Sequence, residues 1–185
     1  YGIGRPYLLY LGTLQPRKNL VRLVEAFTAS DLHNDDYMLV LAGRAGWLAK
    51  PLLAAVGRLP LAVGDQIHLP GYVDEADKAA LLSGATALVF PSLYEGFGFP
   101  ILEAQACGVP VVCAGTSSLP EVAGDAGLRV DPLDVAVIAA AIKRIATDGA
   151  LRGELIVKGY ANLARFKWEE AASQTLAVLE AAGSG

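Results

Sequence analysis

The chain has 185 residues, of which 54% are hydrophobic, and its formal net charge is −4 at pH 7. The length suits one domain that buries about 70% of the surface its unfolded chain would expose. The negative charge argues against a nucleic-acid partner, because binding backbone phosphates needs a basic surface. No apolar run reaches the roughly 18 residues that a membrane-spanning helix needs.

The first residue is Tyr1 rather than a methionine, so we expect the chain to be a piece of a longer protein. The only cysteines, Cys107 and Cys113, stand in apolar surroundings without metal-ligand spacing. This pattern predicts buried free thiols rather than a disulfide or a zinc site. Free thiols weakly favour a reducing, cytoplasmic location.

Short apolar runs with β-forming residues alternate with helical patterns, which predicts an α/β fold with a Rossmann-like, doubly wound parallel sheet of about six strands. The predicted strands are Tyr7–Leu11, Tyr37–Ala42, Gln66–Leu69, Ala87–Phe90, Val111–Cys113 and Leu128–Val130. The predicted helices are Leu20–Ala29, Trp47–Val56, Glu75–Ser83, Ile101–Cys107, Leu119–Ala123 and Val135–Thr147. Ligands of such sheets bind at the carboxyl ends of the strands.

The last part of the chain predicts two further helices, Leu151–Ala164 and Trp168–Ala182, with a break around Phe166. From the residues alone, one interpretation of this break is that Trp168 simply caps the core. The family resemblance given below implies the alternative, a last helix whose apolar face is partly exposed because a domain contact is missing.

Residues 92–110 carry the densest chemistry of the chain. A loop with Gly96 and Gly98 leads into a helix that we expect to begin at Pro100, because proline suits the first helical position. A helix N-terminus has free N–H groups and partial positive charge, so it favours an anion. Glu95 and Glu103 flank the loop with seven residues between them, and Glu103 is expected in the first helical turn. Together these features favour a pocket for a nucleotide sugar.

The same stretch resembles the C-terminal half of a GT-B glycosyltransferase of the retaining glycosyltransferase family 4, whose hallmark is a Glu-x7-Glu pair. The resemblance covers nearly the whole chain and includes Gly12-Thr-Leu-Gln-Pro-Arg-Lys-Asn19, Leu41-Ala-Gly43, Gly71-Tyr-Val73, Phe90-Pro-Ser92 and Ser117-Ser-Leu-Pro-Glu-Val-Ala-Gly-Asp-Ala126. In GT-B enzymes the closing helix crosses back onto the N-terminal domain. The resemblance therefore implies one nucleotide-sugar-binding domain over residues 1–185, with its last helix packing toward a missing N-terminal, acceptor-binding domain.

The resemblance also implies catalytic roles. Lys18, with Arg17 beside it, would contact the donor diphosphate and stabilise the leaving group as the glycosidic bond breaks. Some family members carry an arginine where this chain has Thr13, so here either Arg17 takes over its role or the donor phosphates have fewer contacts. Glu95 resembles the donor-sugar glutamate, and we favour positioning and charge stabilisation over a nucleophilic role. Glu103 would accept hydrogen bonds from the two ribose hydroxyls.

The remaining donor-binding residues are expected to line the pocket with their backbone or side chains. Base contacts are expected from the segment after the third strand, and Tyr94 could either stack on the base or pack at the rim. Ser117 and Ser118 are interpreted as a helix cap rather than as ligands. The predicted lining comprises Gly12, Gly43, Tyr72, Val73, Ser92, Tyr94, Gly96, Phe97, Gly98, Phe99, Pro100, Ile101 and Leu102.

The leading hypothesis is the donor-binding domain of a retaining hexosyltransferase that is inactive when isolated. The expected donor is GDP-mannose first and a UDP-sugar second, with no metal ion or other cofactor, because no Asp-x-Asp occurs. Membrane association is expected only through missing parts, at the inner face. The alternatives are a non-catalytic nucleotide-sugar-binding module and a glycoside hydrolase, since paired carboxylates also cleave glycosides.

Overall fold

The computed structural model describes residues 1–183 and contains one parallel sheet of six strands. The strands are β1 (Tyr7–Leu11), β2 (Met38–Ala42), β3 (Ile67–Gly71), β4 (Ala87–Phe90), β5 (Val111–Ala114) and β6 (Gly127–Val130). Their spatial order is β3-β2-β1-β4-β5-β6, so the order reverses between β1 and β4. This doubly wound arrangement confirms the predicted fold class.

Nine α-helices connect and flank the strands within the described residues. They are α1 (Leu20–Ala29), α2 (Lys50–Gly57), α3 (Leu61–Gly64), α4 (Glu75–Ser83), α5 (Phe99–Ala106), α6 (Leu119–Ala123), α7 (Val135–Thr147), α8 (Gly149–Leu163) and α9 (Trp168–Gly183). Short 3-10 turns occur at Pro16–Lys18, Leu32–Asp35 and Gly124–Ala126.

Three predicted helix starts are wrong. The helix expected from Leu151 begins two residues earlier, at Gly149, after Asp148, whose side chain accepts a hydrogen bond from the Leu151 N–H. The helix expected from Trp47 begins at Lys50, because Leu48 has a positive φ of 55°, which interrupts helical geometry. The helix expected to begin at Pro100 begins at Phe99, so the proline is its second residue. The short helix α3 was not predicted.

The core lies between the sheet and its helices. Strands β1, β2, β4 and β5 are buried along their whole length. The α1 side chains Leu20, Leu23, Val24 and Phe27 follow the spacing of one helix face, and all four are buried. Helices cover both faces of a parallel sheet, so its central strands are expected to be almost completely buried.

Helix α9 buries none of its side chains. Trp168 at its start is 77% exposed, so the interpretation that Trp168 caps the core is wrong. Its ring instead stacks on Phe99 with a centroid distance of 6.2 Å. The predicted domain extended to Gly185, but Ser184 and Gly185 lie outside the described residues.

Candidate functional site

The site forms where the strand order reverses. Strands β1 and β4 are neighbours and parallel, so the segments that follow them leave the same edge of the sheet side by side. The turn Pro16–Lys18 comes shortly after β1, and the glycine-bearing loop comes after β4. Parallel pairing therefore brings together two segments that are more than 70 residues apart in the chain.

Glu95 is the centre of a charged cluster at this edge. Its Oε2 accepts a hydrogen bond from Arg17 Nη1 at 2.6 Å, and its Oε1 is paired with Lys18 Nζ. Glu95 and Lys18 are both buried, whereas the Arg17 side chain is 45% exposed. Two cations face one carboxylate, so the cluster keeps one net positive charge at this edge of the sheet.

The two cations hold Glu95 in its ionised form. Burial alone would raise the pKa of the Glu95 carboxyl, but the hydrogen bonds from Lys18 and Arg17 outweigh burial, and its pKa lies below the usual value. Burial lowers the pKa of Lys18, and the nearby charge of Arg17 lowers it further, while Glu95 raises it by less than these two together lower it. The charged form is thus favoured for Glu95 and disfavoured for Lys18, because Glu95 has two cations beside it, whereas Lys18 has one anion and a second cation beside it.

Further contacts fix both cations. Lys18 Nζ lies 5.2 Å from the centroid of the Phe90 ring, at the end of β4, in a cation–π arrangement. Arg17 Nη1 also donates to Tyr94 O at 2.8 Å. Among the described residues the hydrogen bonds of Arg17 use only Nη1. Its Nη2 and Nε are therefore left to face other acceptors.

Asn19 is a positioning residue that the sequence reasoning missed. It has a positive φ of 62°, which asparagine tolerates better than most residues, and its side chain is buried. Its Nδ2 donates to Pro91 O at 3.1 Å and to Pro132 O at 2.6 Å. Asn19 thereby anchors the Arg17–Lys18 turn to the segment after β4. The only sequence signal for this role was the residue type, an asparagine at the end of the Pro-Arg-Lys turn, where a positive φ is common.

Two serines hold the glycine-bearing loop. The Glu95 N–H donates to Ser117 Oγ at 3.1 Å, and Ser118 Oγ donates to Glu95 O at 3.0 Å and to Phe97 O at 2.6 Å. Ser118 precedes α6 but makes no capping hydrogen bond with its side chain. The prediction that these serines cap a helix is therefore wrong, because their hydroxyls bind the loop instead.

The two glycines of the loop differ in their surroundings. Gly98 has a φ of 121°, and a Cβ there would lie 2.8 Å from Leu119 Cδ2, so packing and backbone both require glycine. A Cβ on Gly96 would meet nothing within 4 Å. Open space beside Gly96 is consistent with close approach of a ligand to this part of the loop.

Glu103 lies on α5, beyond the loop. It is the fifth residue of the helix, so its predicted place in the first turn is wrong. Its Oε1 accepts a hydrogen bond from Lys78 Nζ of α4 at 2.8 Å. Its side chain is one-third exposed, which leaves part of the carboxylate open to solvent. Lys78 lies in no recognisable sequence motif and was not among the predicted site residues.

Three predicted lining residues are buried. Ser92 is fully buried, Ile101 belongs to the core, and the Val73 side chain is 8% exposed. The Ser92 hydroxyl has no hydrogen bond of regular geometry within residues 1–183, so we attribute the low pKa of Glu95 to its two cations. These three side chains therefore belong to the interior of the domain and do not reach its surface.

Four predicted aromatic side chains do reach the surface. Tyr72 carries the Arg44 guanidinium over its ring at 4.3 Å, and Tyr94 is 67% exposed. Phe97 and Phe99 are also exposed, with their ring centroids 4.7 Å apart. The cation–π contact of Tyr72 was not predicted.

The first turn of α5 offers fewer free backbone N–H groups than a helix N-terminus usually does. Pro100 has no N–H to offer, and the Ile101 N–H already donates to Gly98 O at 3.0 Å. Leu102, the next residue, is partly buried. Anion binding by amides at this end would therefore rest on the residues before Pro100.

Gly12 and Gly43 lie against each other at the ends of β1 and β2. A Cβ on Gly43 would lie 2.0 Å from Gly12 O, and the φ of Gly43 is 146°. The Gly12 N–H donates to Ala42 O at 2.9 Å. Close approach of two backbone segments explains the glycine at position 43 without a ligand.

Within residues 1–183 the structure has no group of three or more side chains suited to holding a metal ion. Both cysteines are free thiols, Cys113 buried and Cys107 half-buried. No described helix combines the length and the apolar character required to cross a membrane.

The sequence profile of the family described as "Glycosyl transferases group 1" matches residues 3–162. The chain belongs to this family. The match includes the Arg17–Lys18 turn, the glycine-bearing loop and Glu103, and it ends before α9. The predicted resemblance to a glycosyltransferase family is therefore confirmed, and the domain is a glycosyltransferase domain.

Curated relatives of this glycosyltransferase domain include mannosyltransferases. The chain is 42% identical over 174 residues to the O-antigen chain mannosyltransferase B of Escherichia coli, covering 92% of this chain and 44% of that protein. It is 31% identical over 172 residues to the MMP alpha-(1->4)-mannosyltransferase of Mycolicibacterium hassiacum, covering 90% of this chain and 41% of that protein. The chain thus spans less than half the length of these relatives.

Solved structures share the fold. A sucrose-phosphate synthase from Thermosynechococcus elongatus superposes with a TM-score of 0.82 at 29% identity, covering 98% of this chain and 46% of that one. Anabaena Alr3699/HepE in complex with UDP-glucose superposes with a TM-score of 0.82 at 21% identity, covering 96% and 49%. The architecture is that of one half of a GT-B glycosyltransferase.

Proposed function

We propose that this glycosyltransferase domain binds the donor of a retaining, family 4 hexosyltransferase, which moves a hexose from a nucleoside diphosphate sugar to an acceptor hydroxyl. The observation that carries the proposal is the cluster of Arg17, Lys18 and Glu95 where the strand order reverses. This is the place in a doubly wound sheet where ligands bind. Its net positive charge suits a diphosphate.

Each charged residue has a proposed role. Arg17 presents Nη2 and Nε to the diphosphate. Lys18 adds its positive charge from its buried position next to Glu95, so that both cations stabilise the leaving group. Glu95 orients the two cations and faces the donor sugar, where it positions the sugar and stabilises charge. Glu103 accepts hydrogen bonds from the ribose hydroxyls with the carboxylate oxygen that Lys78 leaves free.

GDP-mannose is the proposed donor, and a UDP-sugar is the second candidate. Mannose is favoured because the E. coli protein that is 42% identical is a mannosyltransferase. The base would lie against Tyr72 after β3, where the ring is exposed. We propose that no metal ion assists, because the two cations already supply charge for the diphosphate. The proposed setting is the cytoplasm.

The partner of this domain is proposed to be an acceptor-binding domain in the same parent chain. Support comes from α9, in which Trp168, Ala172, Leu176 and Leu179 form one exposed stripe along the helix. An exposed apolar stripe of this kind marks a contact surface. Transfer would require both domains, since positioning of the two substrates supplies much of the rate.

Thermal-shift measurements on this chain with GDP, UDP, ADP, GDP-mannose and UDP-glucose test the proposal. A ligand that binds only the folded chain raises its melting temperature, and we expect the largest rise with GDP-mannose. Arg17→Gln and Glu103→Gln should each weaken binding about tenfold, because each removes a charged hydrogen-bond partner. Lys143→Gln removes an exposed cation of α7 and serves as the matched control.

The outcomes separate the competing functions. Unchanged binding in both Arg17→Gln and Glu103→Gln would exclude the proposed pocket. Release of free sugar from an oligosaccharide without nucleotide would instead indicate a glycoside hydrolase. If the complete protein bound the donor but transferred nothing to any acceptor, a binding module would be indicated.

A further inference from the structure

An ion pair connects helix α4 to the carboxylate of Glu103. Lys78 Nζ donates to Glu103 Oε1 at 2.8 Å and to Glu75 Oε1 at 3.2 Å. The Lys78 side chain is 24% exposed, while that of Glu75 is 86% exposed. The hydrogen bond to Glu103 raises the pKa of Lys78, against the smaller effect of burial. Of the two contacts, the one with Glu103 is the better shielded from solvent.

Lys78 leaves Glu103 enough acceptor capacity for a diol. An ionised carboxylate offers about four lone-pair sites, and Lys78 uses one of them on Oε1. Oε2 has no hydrogen bond within residues 1–183. A ribose presents two adjacent hydroxyls, which need two acceptor sites. Lys78 and a ribose can therefore bind the same carboxylate at once.

The ion pair also limits the freedom of the Glu103 side chain. A partly exposed glutamate that must become ordered on binding loses rotamer entropy, which weakens the complex. Because Lys78 already holds one oxygen, the other is presented in a fixed direction. Lys78 itself only donates hydrogen bonds, so it constrains Glu103 without offering the hydroxyls a competing acceptor.

We propose that Lys78 is a positioning residue for nucleotide recognition, which holds the Glu103 carboxylate where it accepts hydrogen bonds from the ribose hydroxyls. Lys78 thereby contributes to the preference for a ribonucleotide over a nucleotide without these hydroxyls. This inference rests on the proposed role of Glu103. It assigns Lys78 no contact of its own with the diphosphate.

Isothermal titration calorimetry with GDP and 2′,3′-dideoxy-GDP, repeated with UDP and 2′,3′-dideoxy-UDP, tests this role. Lys78→Gln should weaken ribonucleotide binding about fivefold, the scale of a partly exposed ion pair, and leave dideoxynucleotide binding unchanged. Lys78→Arg should restore most of the lost affinity. Glu75→Gln is the matched control, because it removes the exposed partner of Lys78 and leaves the contact with Glu103.

A double-mutant cycle identifies the route of the effect. If Lys78 acts through Glu103, Lys78→Gln should cause no further loss in a Glu103→Gln background. An equal loss for ribo- and dideoxynucleotides in Lys78→Gln would overturn the inference, since it would indicate direct contact with the phosphates. So would unchanged affinity for every nucleotide in Lys78→Gln.

Failure of the proposed function has a different signature. If Glu103→Gln keeps the full preference for ribonucleotides, the ribose assignment of Glu103 is wrong, and the role of Lys78 falls with it. If the wild-type chain binds neither GDP nor UDP, the nucleotide pocket itself is refuted. Loss of the preference in Glu103→Gln but not in Lys78→Gln overturns only the role of Lys78.

Discussion

Replacing Glu95 by glutamine tests whether the charged cluster is built as the structure shows. The substitution keeps the size of the side chain but removes the charge between Arg17 and Lys18. Lys18 would then be a buried cation with a second cation beside it and no anion. Removing one partner of a buried ion pair costs about 3 to 5 kcal/mol. We expect the lower end, about 3 kcal/mol of unfolding free energy at pH 7, because Arg17 is partly exposed.

The loss should depend on pH in one direction. The folded-state pKa of Glu95 lies below its ordinary value of 4.5. A carboxyl of this kind stabilises the fold above its unfolded pKa, and this contribution is lost as the pH falls through the folded pKa. The difference between wild type and Glu95→Gln should therefore be full at pH 7, begin to shrink below about pH 4.5, and approach zero once Glu95 is protonated.

Urea unfolding followed by circular dichroism at pH 7, 5, 4 and 3 measures this difference. Arg17→Gln serves as the control, because it removes the exposed arm of the cluster and should cost about 1 kcal/mol or less. A loss below 1 kcal/mol at pH 7 in Glu95→Gln would refute the buried ion pair. A loss that stays constant from pH 7 to pH 3 would refute the assigned direction of the pKa.

Two further predictions concern the frame of the site and the last helix. Gly43→Ala should lower the unfolding free energy by about 3 kcal/mol or more, because its Cβ would lie 2.0 Å from Gly12 O. As a control, Gly153→Ala in α8 should stabilise the chain slightly, since a Cβ there meets nothing within 4 Å. Urea unfolding compares the two variants, and equal stabilities would contradict the close approach at Gly43. Leu176→Asp and Leu179→Asp should each change the unfolding free energy of this chain by less than about 0.5 kcal/mol, because both side chains are exposed. A drop in melting temperature of several degrees in either variant would instead show that α9 packs onto this domain.

Local sequence patterns were sufficient to predict most of the fold. The bounds of β1, β4, α1, α4, α6 and α7 agree with the predicted ones, because each has a clear apolar period or run and a turn residue at its end. The misplaced start of α2 had a readable signal in Pro51, near the first helical position. The positive φ of Leu48, by contrast, has no sequence signature in a bulky residue.

The candidate site was predictable where one segment carries it and unpredictable where contacts cross the fold. Glu95 and Glu103 stand out in a single stretch, and Lys18 in another. The pairing of Lys18 with Glu95 spans 77 positions, and that of Lys78 with Glu103 spans 25. Such pairs depend on strand order and helix packing, which local periodicity does not specify.

The cross-contacts also determine how the site responds to a ligand. The Leu93 N–H donates to Arg17 O at 2.8 Å, Asn19 Nδ2 donates to Pro91 O, and Glu95 is paired with Lys18. These bonds connect the turn after β1 directly to the segment after β4 and oppose their separation. A ligand bound between them has little loop ordering to offset, and more of its contact energy appears as affinity. Asn19→Asp keeps the shape but replaces a donor toward two carbonyls by an acceptor and adds a buried negative charge next to Lys18, so it should weaken this connection and also disturb the charge balance of the cluster.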